Sequence, residues 1–198
     1  MKHSFNTYRA AAIALGLLFA GGNAIAGNYA LDTTHSEVGF SVDYMMVSST
    51  KGKFDAFTVD ATLDEKDLSK SNVSVVIDVK TINTENAKRD GHLKSPDFFE
   101  VEKYPELKFV STALVKDGAA WKLKGNLTMR GVTKPVTLNA EISDTIKNPW
   151  GQMVRGGKVR GALKRSDFGL TWNKALETGG VLVSDEVELE IDLTLKKQ

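Results

Sequence analysis

The sequence predicts an all-β protein whose antiparallel strands form either a sandwich or a closed barrel. The first observation is alternation: in the stretch 186–195, five aliphatic residues alternate with acidic residues and a threonine. This period of two is typical of strands with one face in water. The second observation is the regular spacing of turn-forming pairs such as Asp117-Gly118 and Gly179-Gly180. Together they indicate about eight or nine short strands.

The apolar face of these strands is predicted to point inward. A barrel that crosses a membrane would need an apolar outer face and two aromatic girdles, whereas only 8% of the residues are aromatic. Eight closed strands enclose room for side chains or for one small ligand. Periodicity alone leaves both a solid core and a hollow interior open. The other alternating runs are 38–44, 57–63, 73–80, 121–129 and 136–142.

The first 26 residues have the pattern of a cleaved signal peptide. Lys2 and Arg9 form a positive region, an apolar run follows, and small residues at Ala24 and Ala26 precede the expected cleavage after Ala26. The apolar run is shorter than a bilayer span of about 20 residues, which predicts export without stable membrane insertion. The mature chain, 27–198, is then expected to be a single domain.

The composition of the mature chain argues against several classes of function. Its 24 basic and 25 acidic residues give a formal charge of −1, which argues against a nucleic-acid partner. It has no cysteine, and its two histidines, His35 and His92, are too few for a three-histidine zinc site. The HExxH, GxSxG and GxGxxG motifs are absent. We therefore expect no enzyme, no metal site and no required cofactor.

One stretch, 81–109, breaks the alternation and is predicted to close one end of the barrel. It begins with a short helical lid segment near 84–95, with Thr84 as a candidate cap and Asp90-Gly91 as the end of the helix. A proline, two adjacent phenylalanines and a Tyr-Pro pair then return the chain to an extended path.

Charged residues of this lid segment admit two interpretations. Asp90 and His92 form either an acid–base pair or a hydrogen-bonded loop, and the loop is the favoured interpretation. Arg89 is either part of a structural ion pair or a polar gate that binds the head group of a ligand, since arginine can pair with phosphate or carboxylate.

Several short pieces of the sequence, taken in order, carry a family resemblance. They are Tyr29–Asp32, His35-Ser36, Gly52–Phe54, Arg89–Leu93, Phe98-Phe99, Tyr104-Pro105, Gly125–Thr128, Gly131–Leu138 and Arg165–Gly169. In this order and spacing they resemble the YceI-like family of secreted polyisoprenoid-binding proteins, over nearly all of 27–197. The resemblance implies an extended, eight-stranded, lipocalin-like barrel with a long apolar tunnel for an isoprenoid chain. It also implies a periplasmic carrier, often dimeric, without enzymatic activity.

Alternation and the resemblance together give a set of candidate ligand-binding residues. The family commonly has a histidine near the end of the second strand, where this chain has Tyr44, which cannot become cationic; this departure favours a neutral lipid over a phosphate-bearing one. An alternative function is an envelope module with a filled β-sandwich core that binds a partner or glycan through Trp121, Trp150 and Trp172. The candidate ligand-binding residues are Phe40, Val42, Tyr44, Phe54, Phe57, Arg89, His92, Phe98, Leu127, Met129, Phe168, Leu170 and Trp172.

Overall fold

The computed structural model describes residues 28–177 and 179–198, so the predicted signal peptide, 1–26, lies outside the described residues. The described chain contains one α-helix, α1 (Ala87–Lys94), and twelve strands. The strands are β1 (Tyr29–Leu31), β2 (Glu37–Tyr44), β3 (Ser48–Phe54), β4 (Phe57–Thr62), β5 (Asn72–Asp78), β6 (Ile82–Asn83), β7 (Glu106–Asp117), β8 (Ala120–Met129), β9 (Val132–Ile142), β10 (Ile146–Lys147), β11 (Met153–Lys164) and β12 (Val183–Lys197).

The strands form one sheet that closes on itself. Hydrogen-bonded neighbours follow the order β11-β9-β8-β7-β5-β4-β1-β12, and β12 pairs back onto β11, so eight antiparallel strands form a ring. The short β1 pairs only with the end of β12. Along the rest of this edge β12 pairs with β2, and β2 pairs with β3. These two strands continue the barrel wall towards the end at which β12 begins. The predicted eight-stranded barrel with a short helix is confirmed. The sandwich alternative is wrong, because the pairing of β11 with β12 leaves a single closed sheet.

The long strand β12 shows why alternation predicts the inside of the barrel. One edge pairs with β11 from Glu186 to Lys196, and the other edge pairs with β2 and then with β1. Its aliphatic residues from Val187 to Leu193 line the interior, whereas Glu186 and Glu188 are exposed on the outside. The apolar face therefore points inward, as the alternating pattern predicts.

Strand β11 carries a weak alternating pattern, because glycines and basic residues interrupt it. Gly161 is required by packing: a Cβ at this position would lie 2.6 Å from Cδ2 of Leu138 on the neighbouring strand. The glycine lets the leucine side chain lie flat across β11. Such close packing depends on the neighbouring strand and is not visible in the local sequence.

The helix α1 differs in detail from its prediction. Its cap is Asn86, whose side chain accepts a hydrogen bond of 3.0 Å from the backbone nitrogen of Arg89, instead of Thr84. Asp90 and Gly91 lie within the helix, which ends before Ser95. Asparagine at this position satisfies a backbone N–H group that would otherwise lack a partner in the first turn.

The connector after α1 is fastened to the barrel by Arg130, in the turn between β8 and β9. One terminal nitrogen of Arg130 donates to the carbonyl of Gly169, and the other donates to the carbonyl of Pro96 over 2.9 Å. The second nitrogen also lies 3.4 Å from the carboxylate of Glu100. These contacts hold the connector after α1 and the Gly169 turn together at one end of the barrel.

Candidate functional site: an apolar cavity inside the barrel

The barrel encloses a cavity of about 190 Å³. Its wall consists of aliphatic and aromatic side chains from opposing strands, with Leu93 from α1 and Phe98 and Phe99 from the connector. Among the described residues that line it, Arg165 is the one charged side chain. A cavity with this wall offers apolar contact and almost no hydrogen-bonding groups, and this favours an apolar guest.

The structure brings seven of the predicted ligand-binding residues together in the cavity wall. Leu127 and Met129 come from β8, opposite the residues of β2 across the interior, and Leu170 follows β11. Whether these side chains contact a ligand stays a prediction. The seven are Phe40, Val42, Phe54, Phe98, Leu127, Met129 and Leu170.

Three other predicted residues lie outside the wall of the cavity. Tyr44 is 40% exposed at the tip of the β2–β3 hairpin. Phe168 is buried behind the wall, with 2% of its surface exposed. Phe57 packs against the edge of the core and faces an outer groove of about 960 Å³. This groove also contains Lys53 and Asp55, so it offers a charged surface to water in place of an apolar interior.

His92 and Trp172 lie outside the cavity and pack against the outer side of Phe98. The ring centroid of His92 lies 5.0 Å from that of Phe98 and 4.8 Å from that of Trp172, both edge-on. The Nε2 atom of His92 lies 2.8 Å from a carboxylate oxygen of Asp97. His92 and Trp172 thus support Phe98 from behind, while Phe98 itself lines the cavity.

Arg89 and Asp90 converge on the buried Thr84, which precedes α1. The carboxylate of Asp90 accepts hydrogen bonds from the backbone nitrogen and the hydroxyl of Thr84 over 2.9 and 2.5 Å. Arg89 donates to the hydroxyl and the carbonyl of Thr84 over 2.8 and 2.7 Å. Asp90 and His92 therefore have separate partners and are not paired with each other. The geometry matches the hydrogen-bonded loop that the sequence favours.

The three tryptophans of the alternative function do not form a common surface. Trp150 is 82% exposed in the turn before β11. Trp121 is half-buried and packs against the core cluster of Leu138 and Val159. Trp172 packs against Phe98, as described above. The structure thus gives no platform of three exposed indole rings.

Most cavity residues that the candidate set omits lie on strands with clear alternation. Val73 and Val75 of β5, and Leu189 and Ile191 of β12, are examples. Their alternation was a sufficient signal to place them inside. Arg165 is different, because no local pattern indicates that an arginine after a strand turns inward.

Arg165 is 6% exposed and is fully engaged with backbone carbonyls at the lid end of the barrel. Its Nε donates to Ser184 over 2.8 Å, and Nη1 donates to Leu170 and Trp172 over 2.6 and 2.9 Å. Burial lowers the pKa of the Arg165 guanidinium from its ordinary value, and the carboxylate of Asp185 counteracts this. Arg165 therefore joins two chain segments through hydrogen bonds to their carbonyl groups. These bonds compensate the burial of its charge in an otherwise apolar wall.

Three aromatic rings in the wall limit the free volume. The ring centroids of Phe40 and Phe54 are 5.7 Å apart, and those of Phe54 and Phe99 are 6.2 Å apart. Ligand pockets for drug-sized molecules usually have roughly 300–1,000 Å³. The free volume is below this range, so a long chain would enter only if these rings or the strands that carry them moved.

The ring of strands and the cavity define the class of protein: it is a closed antiparallel β-barrel with an apolar interior. Residues 29–195 match the family model of the YceI-like domain. The chain therefore belongs to the YceI-like family. It is 40% identical to a UPF0312 protein of Photorhabdus laumondii over 154 residues, which are 77% of this chain and 80% of that protein.

Solved structures show the same fold. The YceI protein of Campylobacter jejuni is 33% identical and superposes with a TM-score of 0.68, covering 86% of this chain and 98% of that chain. A polyisoprenoid-binding domain from Saccharophagus degradans, implicated in plant cell wall breakdown, superposes with a TM-score of 0.62 at 17% identity. That match covers 86% of this chain and 99% of the domain, and at this identity it shows the fold alone.

Within the residues described above, no helix has the length and apolarity required to cross a membrane. The same part of the chain contains no group of three or more His, Cys, Asp or Glu side chains placed to hold a metal ion.

Proposed function

We propose that this protein binds a long-chain isoprenoid, or a similar amphipathic lipid, inside the barrel and carries it in the periplasm. The observation that carries the proposal is the internal cavity, whose wall is apolar except for the engaged Arg165. The membership in the YceI-like family and the fold shared with a polyisoprenoid-binding domain support it. Because a chain of isoprene units has almost no polar atoms, such a wall suits it without unsatisfied groups.

The affinity should come mainly from apolar area removed from water, about 25 cal/mol per Å². The cost of ordering a flexible chain reduces this gain. A second cost follows from the small free volume of about 190 Å³. We expect the rings of Phe40, Phe54 and Phe99 to be displaced when a long chain binds.

The proposal places the mature protein, cleaved after Ala26, in the periplasm. It requires no metal and no cofactor apart from the lipid itself, and no nucleic-acid partner. Tyr44 lies at the exposed tip of the β2–β3 hairpin and outside the cavity wall, so the proposal does not use Tyr44 to choose between a neutral and an anionic lipid. A homodimer, which the family resemblance implies, remains part of the proposal.

Native mass spectrometry of the protein purified from its own periplasm tests the proposal. We expect a population whose mass exceeds that of the 27–198 chain by the mass of one lipid, which organic solvent releases for identification. The same spectra report cleavage after Ala26 and the proportion of dimer. A ligand-free mass, together with no uptake from a total lipid extract, would reject the lipid-binding function.

A further inference from the structure

Two buried arginines lie on the inward face of β11 and its continuation, ten residues apart. Arg155 is 8% exposed and Arg165 is 6% exposed. Ten residues of extended strand span about 33 Å. Since strands of a barrel are tilted, this is on the order of 25 Å along its axis. Val159 and Leu163, which line the cavity, lie between the two arginines on the same face. Arg155 and Arg165 thus mark the two ends of the apolar interior.

The two guanidinium groups differ in their partners. Arg165 donates to carbonyl groups through Nε and Nη1, as shown above. The Nε and Nη1 atoms of Arg155 are buried, and neither has a hydrogen-bond partner. A buried donor without a partner costs free energy, and a buried charge costs more. Arg155 is therefore the one buried guanidinium of the described chain with free donors.

The acidic residue near Arg155 is already engaged. The carboxylate of Glu65 accepts a hydrogen bond of 3.0 Å from the hydroxyl of Tyr29 and lies 2.6 Å from Nζ of Lys197. No ion pair within the described residues includes Arg155. Hydrogen bonds from Lys197 and then Tyr29 are the main reasons that the pKa of the Glu65 carboxyl is lowered, and the charge of Arg155 contributes less. Glu65 thus leaves the buried donors of Arg155 without a hydrogen-bond partner.

There is room for a ligand atom on the cavity side of Arg155. Gly157 is the next residue on the inward face of β11, and a Cβ placed on it would meet no atom within 4 Å. Its cross-strand partner, Leu193, lines the cavity, and the partner of Arg155 is the buried Leu195. The open space at Gly157 therefore lies between the free donors and the apolar cavity.

We propose that Arg155 binds the anionic oxygen head group of the lipid, a carboxylate or a phosphate, while the chain runs past Gly157 towards α1. This inference rests on the proposed lipid-binding function. Guanidinium N–H groups form strong, charge-assisted hydrogen bonds with such oxygens. The head group would satisfy the buried donors of Arg155 at the end opposite the lid, so the lid segment would contact only the tail.

The experiment compares lipids that share a chain and differ in the head group. Geranylgeranyl phosphate is compared with geranylgeraniol, and icosanoic acid with icosanol, by fluorescence competition and native mass spectrometry. We expect the unmutated protein to prefer the anionic member of at least one pair by about ten- to hundredfold, as a hydrogen bond to a charged group implies. The pair that shows the preference tells a phosphate site from a carboxylate site.

The variant Arg155→Gln should remove this preference while it retains affinity for the two alcohols. Arg160→Gln is the matched control, because Arg160 lies on the outer face of the same strand and pairs with Asp192 over 2.7 Å. The control should keep the preference. Equal binding of acids and alcohols by the unmutated protein, or a preference that survives Arg155→Gln, would overturn the assignment. Failure of all four lipids would instead reject the proposed function.

A measurement on the unmutated protein covers the case in which the Arg155 variants do not fold. The Nε–H resonance of Arg155 in a ¹⁵N spectrum should shift on addition of the preferred anionic lipid and not on addition of the corresponding alcohol. Equal shifts with both lipids, or no shift although both bind, would overturn the assignment, because the Nε–H group of Arg155 would then not distinguish the anionic head group from the alcohol.

Discussion

At the scale of single residues, Asp32 links the two ends of the described chain. Its carboxylate accepts hydrogen bonds from the backbone of Thr34 over 3.1 Å and lies 3.0 Å from both Nδ1 of His35 and Nζ of Lys196. The hydrogen bond of His35, followed by that of Lys196, lowers the pKa of Asp32 to about 2 from 3.8. The turn that brings His35 to Asp32 is local, whereas Lys196 comes from the end of β12.

Replacement of this carboxyl should change the stability of the protein in acid. A carboxyl whose pKa is lower in the folded state stabilises the fold above the unfolded pKa, and this contribution disappears as the pH falls through the folded pKa. The window is therefore from about pH 4 down to about pH 2. We expect Asp32→Asn to be less stable at pH 7 and to lose less stability than the unmutated protein across this window. Urea unfolding at several pH values measures both, and parallel pH profiles would contradict the expectation.

At the scale of elements, the glycines show how one residue type has opposite roles in a helix and a strand. Gly91 lies within α1, and a Cβ there would meet no atom within 4 Å. Gly125 lies in β8, and a Cβ there would overlap the ring of Phe109 and come within 2.6 Å of the carbonyl of Val110. Gly91 only lowers the stability of the helix, because glycine loses more conformational freedom on folding than other residues. Gly125 makes room for a cavity-lining aromatic ring.

Alanine substitutions at the two glycines should therefore have opposite effects. We expect Gly91→Ala to stabilise the fold by about 0.5–1 kcal/mol, because it reduces the flexibility of the unfolded chain and favours the helix. Gly125→Ala should destabilise it by about 1–3 kcal/mol through overpacking. The free energy of unfolding in urea measures both. Stabilisation by Gly125→Ala would mean that Phe109 has space to turn away, against the packing described.

At the scale of the whole molecule, the interior is built from residues that are far apart in the sequence. Leu127 of β8, Phe40 of β2 and Leu189 of β12 line one cavity because the pairing of β11 with β12 closes the sheet. The closure also leaves the glutamates of β12 on the outside. The alternating pattern is consistent with a hollow interior but does not determine it. Whether a cavity is left depends on how completely the inward side chains fill the space around the barrel axis.

A larger side chain in the cavity should reduce lipid uptake much more than it reduces the stability of the fold. We expect Leu127→Trp to reduce uptake of geranylgeraniol strongly and to cost less than the 1–3 kcal/mol of overpacking in a solid core, because the indole ring can occupy the free volume. Val110→Trp is the control, since Val110 of β7 is 53% exposed on the outer face. Native mass spectrometry and urea unfolding measure the two quantities. Unchanged uptake in Leu127→Trp, or an equal loss in both variants, would place the lipid outside the cavity.

The sequence alone determined the all-β class, the inward face of most strands and the position of the lid segment, because alternation and turn pairs are local consequences of backbone geometry. It also placed Phe40, Leu127 and Met129 inside. Only the tertiary structure decided that Tyr44 lies outside the wall. It alone showed that Arg155 and Arg165 turn inward and that only one of them has partners. Those properties depend on strand pairing across the barrel and on carbonyl groups from distant segments, which no local pattern specifies.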